Sequence, residues 1–138
     1  MKNPLGTVRK YPTERQLWQR IKPKFEQGGS RAYRIEAVAT PGFPDVVWCP
    51  YMRPPHFIEL KAGPLIIRTA QKKFIKDLNA LGFSVWVVWQ KERRGQVLVL
   101  HGMTTLDWGG SFHGTDLDEW IAWILEQGVN EQKQRQGP

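Results

Sequence analysis

The sequence predicts an α/β fold, a mixed β-sheet flanked by helices, in the order helix, three strands, helix, strand, strand, helix. Three observations carry this. Short apolar runs bounded by Gly and Pro, "DVVWC", "HFIELKA", "FSVWVVWQ" and "QVLVLH", have strand patterning. Longer stretches around Leu17, Phe74 and Trp120 repeat apolar residues every three to four positions, as amphipathic helices do. The connection "PYMRPP" between the second and third strands is too short for a crossover, whereas a helix separates the third from the fourth. Antiparallel and parallel pairings should therefore coexist in one sheet.

Each element has its own local reason. Residues 1–12, with Pro4, Gly6 and Pro12, carry no sustained period and are assigned as an arm. Thr13 and Gln16 fit a capping box that opens a first helix. Leu17, Trp18 and Ile21 are its buried stripe, Glu14 borders that face, and Pro23 should end or kink it near Lys22. After Gly28-Gly29-Ser30, "AYRIEAVA" predicts a strand over 33–39, and Pro41-Gly42 a turn. The two strands that follow form a hairpin. Thr69 is the expected N-cap of the second helix, with Ala70, Phe74, Leu78 and Leu81 inward and Gly82 as the stop. "FSVWVVWQ" is the most continuous apolar run, as befits the middle of the sheet, and "KERRG" turns it into a strand over 96–101. Thr115 is the expected cap of a last helix with Asp116, Asp118 and Glu119 in its first turn. That helix faces the core through Leu117, Trp120, Ile121, Ile124 and Leu125, and should end at Gly128. Residues 13–128 thus form one domain and 129–138 a flexible tail.

Composition narrows the function classes. At 138 residues the chain holds one self-sufficient core. Lys and Arg number 20 against 13 Asp and Glu, a formal charge of +7 that favours a polyanionic partner such as nucleic acid. Cys49 is the single cysteine, so neither an intrachain disulfide nor a Cys-rich zinc site can form, and a reducing cytoplasm is expected. There is no apolar signal-peptide core and no run of about 20 apolar residues, so a soluble intracellular protein is expected, with no membrane partner.

The stretch "PGFPDVVWCPYMRPPHFIELKAG" carries the chemistry. Strand alternation puts Glu59 and Lys61 on one face, with Ile58 and Leu60 on the other. The hairpin brings Asp45 alongside, in a register that the sequence leaves open. Converging carboxylates repel, and a bound divalent cation relieves that repulsion. Oxygen ligands select Mg²⁺, with Mn²⁺ as a substitute, and the backbone carbonyl of Leu60 is a further candidate ligand. Lys61 would then orient or deprotonate a water, or stabilise charge on a phosphate. The competing reading of a Glu-x-Lys pair is a solvated strand face or a surface ion pair.

The ordered pattern "PGFPDV…FIELKAG…TAQKKFI…LGFSVWVV" resembles the PD-(D/E)XK nuclease superfamily, and within it the VRR-NUC family of its stand-alone viral and prophage type. The resemblance spans about residues 13–100. It implies a restriction-endonuclease-like αβββαβ core with an extra C-terminal strand and helix. It also implies that Asp45 and Glu59 hold the metal, that Lys61 is the motif lysine, and that Gln71 is an active-site companion. Glu14 on the first helix matches the place of a further metal ligand. Glu36 is a competing carboxylate with no ligand role assigned. The implied activity is a Mg²⁺-dependent endonuclease acting on branched DNA in the manner of a Holliday-junction resolvase, as a homodimer whose two sites make paired cuts. Two alternatives stay open: a nuclease for linear duplex or flap DNA in phage replication or defence, and a non-catalytic DNA-binding module.

Basic and aromatic residues supply candidate DNA contacts. Arg68, Lys72, Lys73 and Lys76 cluster around the second helix, Lys91, Arg93 and Arg94 in a turn, and Arg53 in the hairpin loop. A solvated charged face is the competing reading for each cluster. Trp86, Trp120 and Trp123 lie in core-like elements, and Trp108 in a Gly-rich loop is a stacking or interface candidate. His56, His101 and His113 lack metal-ligand spacing.

Overall fold

The computed structural model describes residues 11–35, 40–106 and 114–136. The arm before Tyr11, the carboxylate Glu36, Trp108 and His113 lie outside the described residues. The chain forms helix α1 (Glu14–Phe25), strands β1 (Arg31–Arg34), β2 (Val46–Cys49) and β3 (His56–Ala62), helix α2 (Thr69–Ala80), strands β4 (Val85–Gln90), β5 (Val97–His101) and β6 (Thr115–Asp116), and helix α3 (Leu117–Gln136). The described strands make one sheet in sequence order, β1-β2-β3-β4-β5-β6. Only β3 and β4 pair in parallel; every other neighbouring pair is antiparallel. This is the mixed, restriction-endonuclease-like α/β architecture that the sequence predicts.

Alternation along the strands divides the sheet into two packed faces. On one, Leu17, Ile21 and Phe25 of α1 and Leu117, Trp120, Ile121 and Ile124 of α3 close over Val46, Trp48, Ile58, Leu60, Val88, Val97 and Val99. Trp48 is the keystone of this face. Its ring lies 5.0 Å from that of Phe25 and 5.2 Å from that of Trp120, and its indole N–H donates to the Phe25 carbonyl at 2.8 Å. An aromatic burying roughly 200 Å² at ~25 cal/mol per Å² contributes about 5 kcal/mol, so Trp48 secures the C-terminal turn of α1. On the other face α2 packs against β4, with Ile75 buried, and Phe43, Phe57, Phe74 and Phe83 form a chain of edge-to-face contacts. No described helix is long and apolar enough to cross a membrane.

The capping box at Thr13 forms as predicted, with the Gln16 N–H on the Thr13 hydroxyl at 3.1 Å and the Thr13 N–H on the Gln16 side chain at 3.0 Å. Helix α1 nevertheless passes Pro23 and ends at Phe25. A proline in the last turn removes one intrahelical bond, and the buried Phe25 outweighs that loss. Strand β1 starts at Arg31, two residues before the predicted position, because its pairing with Cys49 and Trp48 decides where it begins. The buried Ser30 hydroxyl, accepting the Tyr51 N–H at 3.0 Å, fixes that end.

Helix α2 is rotated from its predicted orientation. Ile75 is buried and Phe74 and Leu78 are half-buried, whereas Ala70 and Leu81 are exposed. Its N-cap is Arg68 rather than Thr69, since the Gln71 side chain accepts the Arg68 N–H at 2.9 Å. Gly82 ends the helix as predicted. At φ 90° its N–H bonds Asn79 O, and that of Phe83 bonds Leu78 O, the Schellman pattern.

At the last helix Thr115 is not the cap. Thr115 and Asp116 pair with β5, and the Asp116 carboxylate accepts the N–H of Asp118 at 3.1 Å. A carboxylate satisfies the positive helix end better than a hydroxyl. Helix α3 continues past Gly128 to Gln136, where a flexible tail was expected. One glycine costs a helix only about 1 kcal/mol, and the Glu, Gln, Lys and Arg that follow are good helix formers. Trp123, expected in the core, is 49% exposed on the outer side of α3.

Candidate active site

The β2–β3 register settles what the sequence leaves open. Val46 pairs with Ile58 antiparallel, so the next step outward sets Asp45 across from Glu59. The Asp45 carboxylate accepts the Leu60 N–H at 2.8 Å and is hydrogen-bonded to the Glu59 carboxyl. Glu59 is 2% exposed and Lys61 8%, and both stand on the face toward α2 while Ile58 and Leu60 fill the opposite core. Burying a carboxylate and an ammonium without partners costs several kcal/mol each, so their partners define the site.

Gln71, in the first turn of α2, is the shared partner. Its Oε1 accepts from Lys61 Nζ at 2.9 Å and from the Arg68 N–H at 2.9 Å, while its Nε2 donates to Glu59 Oε1 at 2.9 Å. One amide therefore locks the acid and the lysine of β3 to each other and to the start of α2. The turn before β2 is pressed onto the same place. A Cβ at Gly42, φ 89°, would come within 2.5 Å of the Ala70 carbonyl carbon, so only glycine allows this approach.

The electrostatics follow from crowding. Burial pushes the Glu59 carboxyl up to about 10, and the hydrogen bond and negative charge of Asp45 add to that; the Lys61 ammonium opposes it. Glu14 on α1 is also raised, first by desolvation and then by Asp45, while Lys61, Arg34 and Arg68 pull it down. Glu14 thus belongs to the same electrostatic cluster, although its residue surface stays exposed. Arg34 is a member that sequence reasoning missed. The only signal for it was its place on β1, which says nothing of what lies across the sheet edge.

Two carboxyls held in hydrogen-bond contact share a proton or a cation. Among the described residues no group of three or more His, Cys, Asp or Glu side chains is close enough to cage a metal alone. Mg²⁺ needs no such cage, since it keeps several waters and binds through one or two carboxylates. The all-oxygen pair Asp45 and Glu59 fits that demand.

The candidate DNA contacts divide. Arg68 is exposed beside the site, Lys72 is half-buried, and Lys76 is exposed. Lys73 lies 3.8 Å from Asp77 and over the Phe74 ring at 5.3 Å. Arg93 and Arg94 are exposed in the turn after β4, which Gln90 braces by donating to the Glu92 and Arg93 carbonyls. Arg53 is half-buried at the opposite end of β3, lining a hollow of about 320 Å³ with His56, Phe83 and Ile124.

His56 is held neutral. The Trp86 indole N–H donates to its Nδ1 at 3.1 Å, and burial, reinforced by Arg53, lowers its pKa to about 4. Packed among Trp48, Trp86 and Trp120, it belongs to the hydrophobic core rather than the site.

No family model matches the chain, and no curated protein does. Among solved structures, the fold is similar to that of Hjc, a Holliday junction resolvase from the archaeal hyperthermophile Archaeoglobus fulgidus, with a TM-score of 0.55 at 20% identity. The match covers 78% of this chain and 96% of that one, so the two share essentially the whole of the smaller fold.

Proposed function

We propose that this chain is a metal-dependent endonuclease of the Holliday-junction-resolvase type, a stand-alone VRR-NUC-like member of the PD-(D/E)XK superfamily that acts on branched DNA. The observation that carries the reading is the half-buried Asp45 set against the buried Glu59, which is tied to Lys61 through Gln71. Its place on a fold similar to that of a known resolvase supports it. Purely structural pairs are seldom this expensive: an apolar trio would fill the same space at no desolvation cost.

Asp45 and Glu59 hold the cation, Mg²⁺ or in its stead Mn²⁺, with the Leu60 backbone carbonyl and Glu14 as further ligands. A bound Mg²⁺ supplies Lewis-acid polarisation of the phosphate and lowers the pKa of a water. Lys61, aimed by Gln71, places a positive charge beside the scissile phosphate, where it orients the attacking water and stabilises charge that develops on the phosphoryl oxygens. Gln71 keeps both β3 side chains in register for that task. Arg68, Lys72, Lys73, Lys76, Arg93 and Arg94 engage backbone phosphates, with Arg53 a more remote contact. Paired incision of a four-way junction requires two sites about a two-fold axis, so the working unit is a homodimer, with the exposed Trp123 face of α3 as its candidate contact.

The test incubates the protein with Mg²⁺ and labelled four-way junction, flap, linear duplex and single-stranded DNA, beside Asp45→Asn, Glu59→Gln and Lys61→Ala. Mg²⁺-dependent cutting of the junction by wild type alone is expected. Equal cutting by the variants overturns the site, and a preference for linear duplex overturns the resolvase reading.

A further inference from the structure

The loop that joins the two halves of the site exposes apolar side chains that neither the metal nor the lysine explains. Residues 63–68 run from β3, just after Lys61, to α2, just before Gln71, and carry the row Leu65-Ile66-Ile67. Ile66 is 64% exposed, and Arg68, two residues further on, is exposed as well. Apolar side chains in an exposed loop normally turn inward or lie on mobile chain.

Here the loop is clamped at both ends. The Gly63 N–H bonds the Gln90 carbonyl at 2.9 Å, and the Gly63 carbonyl accepts the Trp89 indole N–H at 2.7 Å. Gly63 turns the chain at φ 83° against the Tyr11 ring, and Pro64 stiffens the next step. At the far end the Arg68 N–H is held by Gln71, the residue that also holds Glu59 and Lys61. Both ends of the loop are therefore fixed with respect to the candidate catalytic groups. Beside it lies a hollow of about 350 Å³ lined by Leu65, Ile66, Ile67, Lys72 and Thr105, an apolar recess with one cation at its rim.

We propose that Ile66 is an apolar wedge that enters the DNA next to the scissile phosphate and unstacks one base step, the displaced base being received by the recess beside Lys72. An exposed aliphatic on a short loop held at both ends, with cations close in sequence, has the equipment of side chains that kink nucleic acid by insertion. The proposal rests on the nuclease reading and deepens it by naming the residue that selects structure. Unstacking costs least where stacking is already interrupted, so a fixed wedge favours branch points over continuous duplex.

The test compares wild type, Ile66→Ala, Ile66→Leu and the control Leu81→Ala, which truncates a 72% exposed leucine at the far end of α2. Each is bound in Ca²⁺ to junctions with 2-aminopurine at successive positions near the cut, and cleavage is measured in Mg²⁺. Wild type, Ile66→Leu and Leu81→Ala should raise the fluorescence at one position. Ile66→Ala should lose that signal and cut about tenfold more slowly, with the rate restored when that step carries a mismatch. If Ile66→Ala matches Leu81→Ala in both readouts while the wild type cuts DNA, the wedge is refuted and the nuclease reading stands. A wild type that neither binds nor cuts any of the DNAs refutes both.

Discussion

Replacing Glu59 by Gln should abolish cleavage and make the protein more stable. In the absence of metal the buried Glu59 carboxyl stays protonated at neutral pH, because burial and Asp45 push it from 4.5 to well above 7. The unfolded chain ionises the same group near 4.5, so at pH 7 the unfolded state gains the free energy of ionisation. Each pH unit is worth about 1.4 kcal/mol, so the 2.5 units between 4.5 and 7 bound the effect at about 3.4 kcal/mol. The sign follows from the direction of the shift. A carboxyl raised by folding binds more protons in the native state, so its stabilising share is present below pH 4.5 and is lost as pH rises.

Gln is nearly isosteric, can accept from Gln71 Nε2 and donate to Asp45, and does not titrate. Glu59→Gln should therefore gain about 2–3 kcal/mol at pH 7, roughly 8–12 °C in Tm at ~4 °C per kcal/mol, and close to nothing at pH 4. Thermal melts followed by circular dichroism in EDTA between pH 4 and 8 measure this. A Tm difference that does not change with pH, or a less stable variant at pH 7, refutes the argument that Glu59 is a strained, charge-crowded group. Stability gained on losing an acid is the usual mark of a site kept for chemistry.

Two further outcomes are specific. Gln71→Ala removes bonds to Glu59 and Lys61, each taken at about 1–1.5 kcal/mol, so kcat should fall about 30- to 150-fold with KM little changed; a loss under twofold in steady-state cleavage contradicts the positioning role. His56, lowered to about 4, contributes stability that is fully present above pH 6.5 and lost as pH falls through 6.5 toward 4; after discounting for its partial exposure this is about 2 kcal/mol, read as the extra acid loss of wild type over His56→Phe in urea melts. An NMR titration placing His56 near 6.5 contradicts it.

The hairpin, the following helix and the buried β4 were legible because each rests on local pattern: alternation at Val46–Cys49, the glycine stop at Gly82, and an unbroken apolar run at Val85–Gln90. Misreadings fell where a distant partner decides. Helix α2 rolled so that Ile75 is buried and Ala70 and Leu81 are exposed, α1 ran through Pro23 because Phe25 is held by Trp48, and Asp116 displaced Thr115 as cap once Thr115 was drawn into the sheet. Local propensity is worth tenths of a kcal/mol per residue, and a buried aromatic is worth several.

The sequence by itself determined which chemistry is available: a basic chain with Asp45, Glu59 and Lys61 on strands joined by a short hairpin, and Gln71 on the helix that follows. Tertiary structure alone decided the register that sets Asp45 against Glu59, the amide of Gln71 that binds Glu59 and Lys61 together, and the bonds at both ends of the loop that leaves Ile66 exposed. The physical reason is the same in each case. Side-chain identity is written residue by residue, but a hydrogen bond of 2.9 Å between residues on different elements exists only after the sheet has chosen its pairing and the helix its roll.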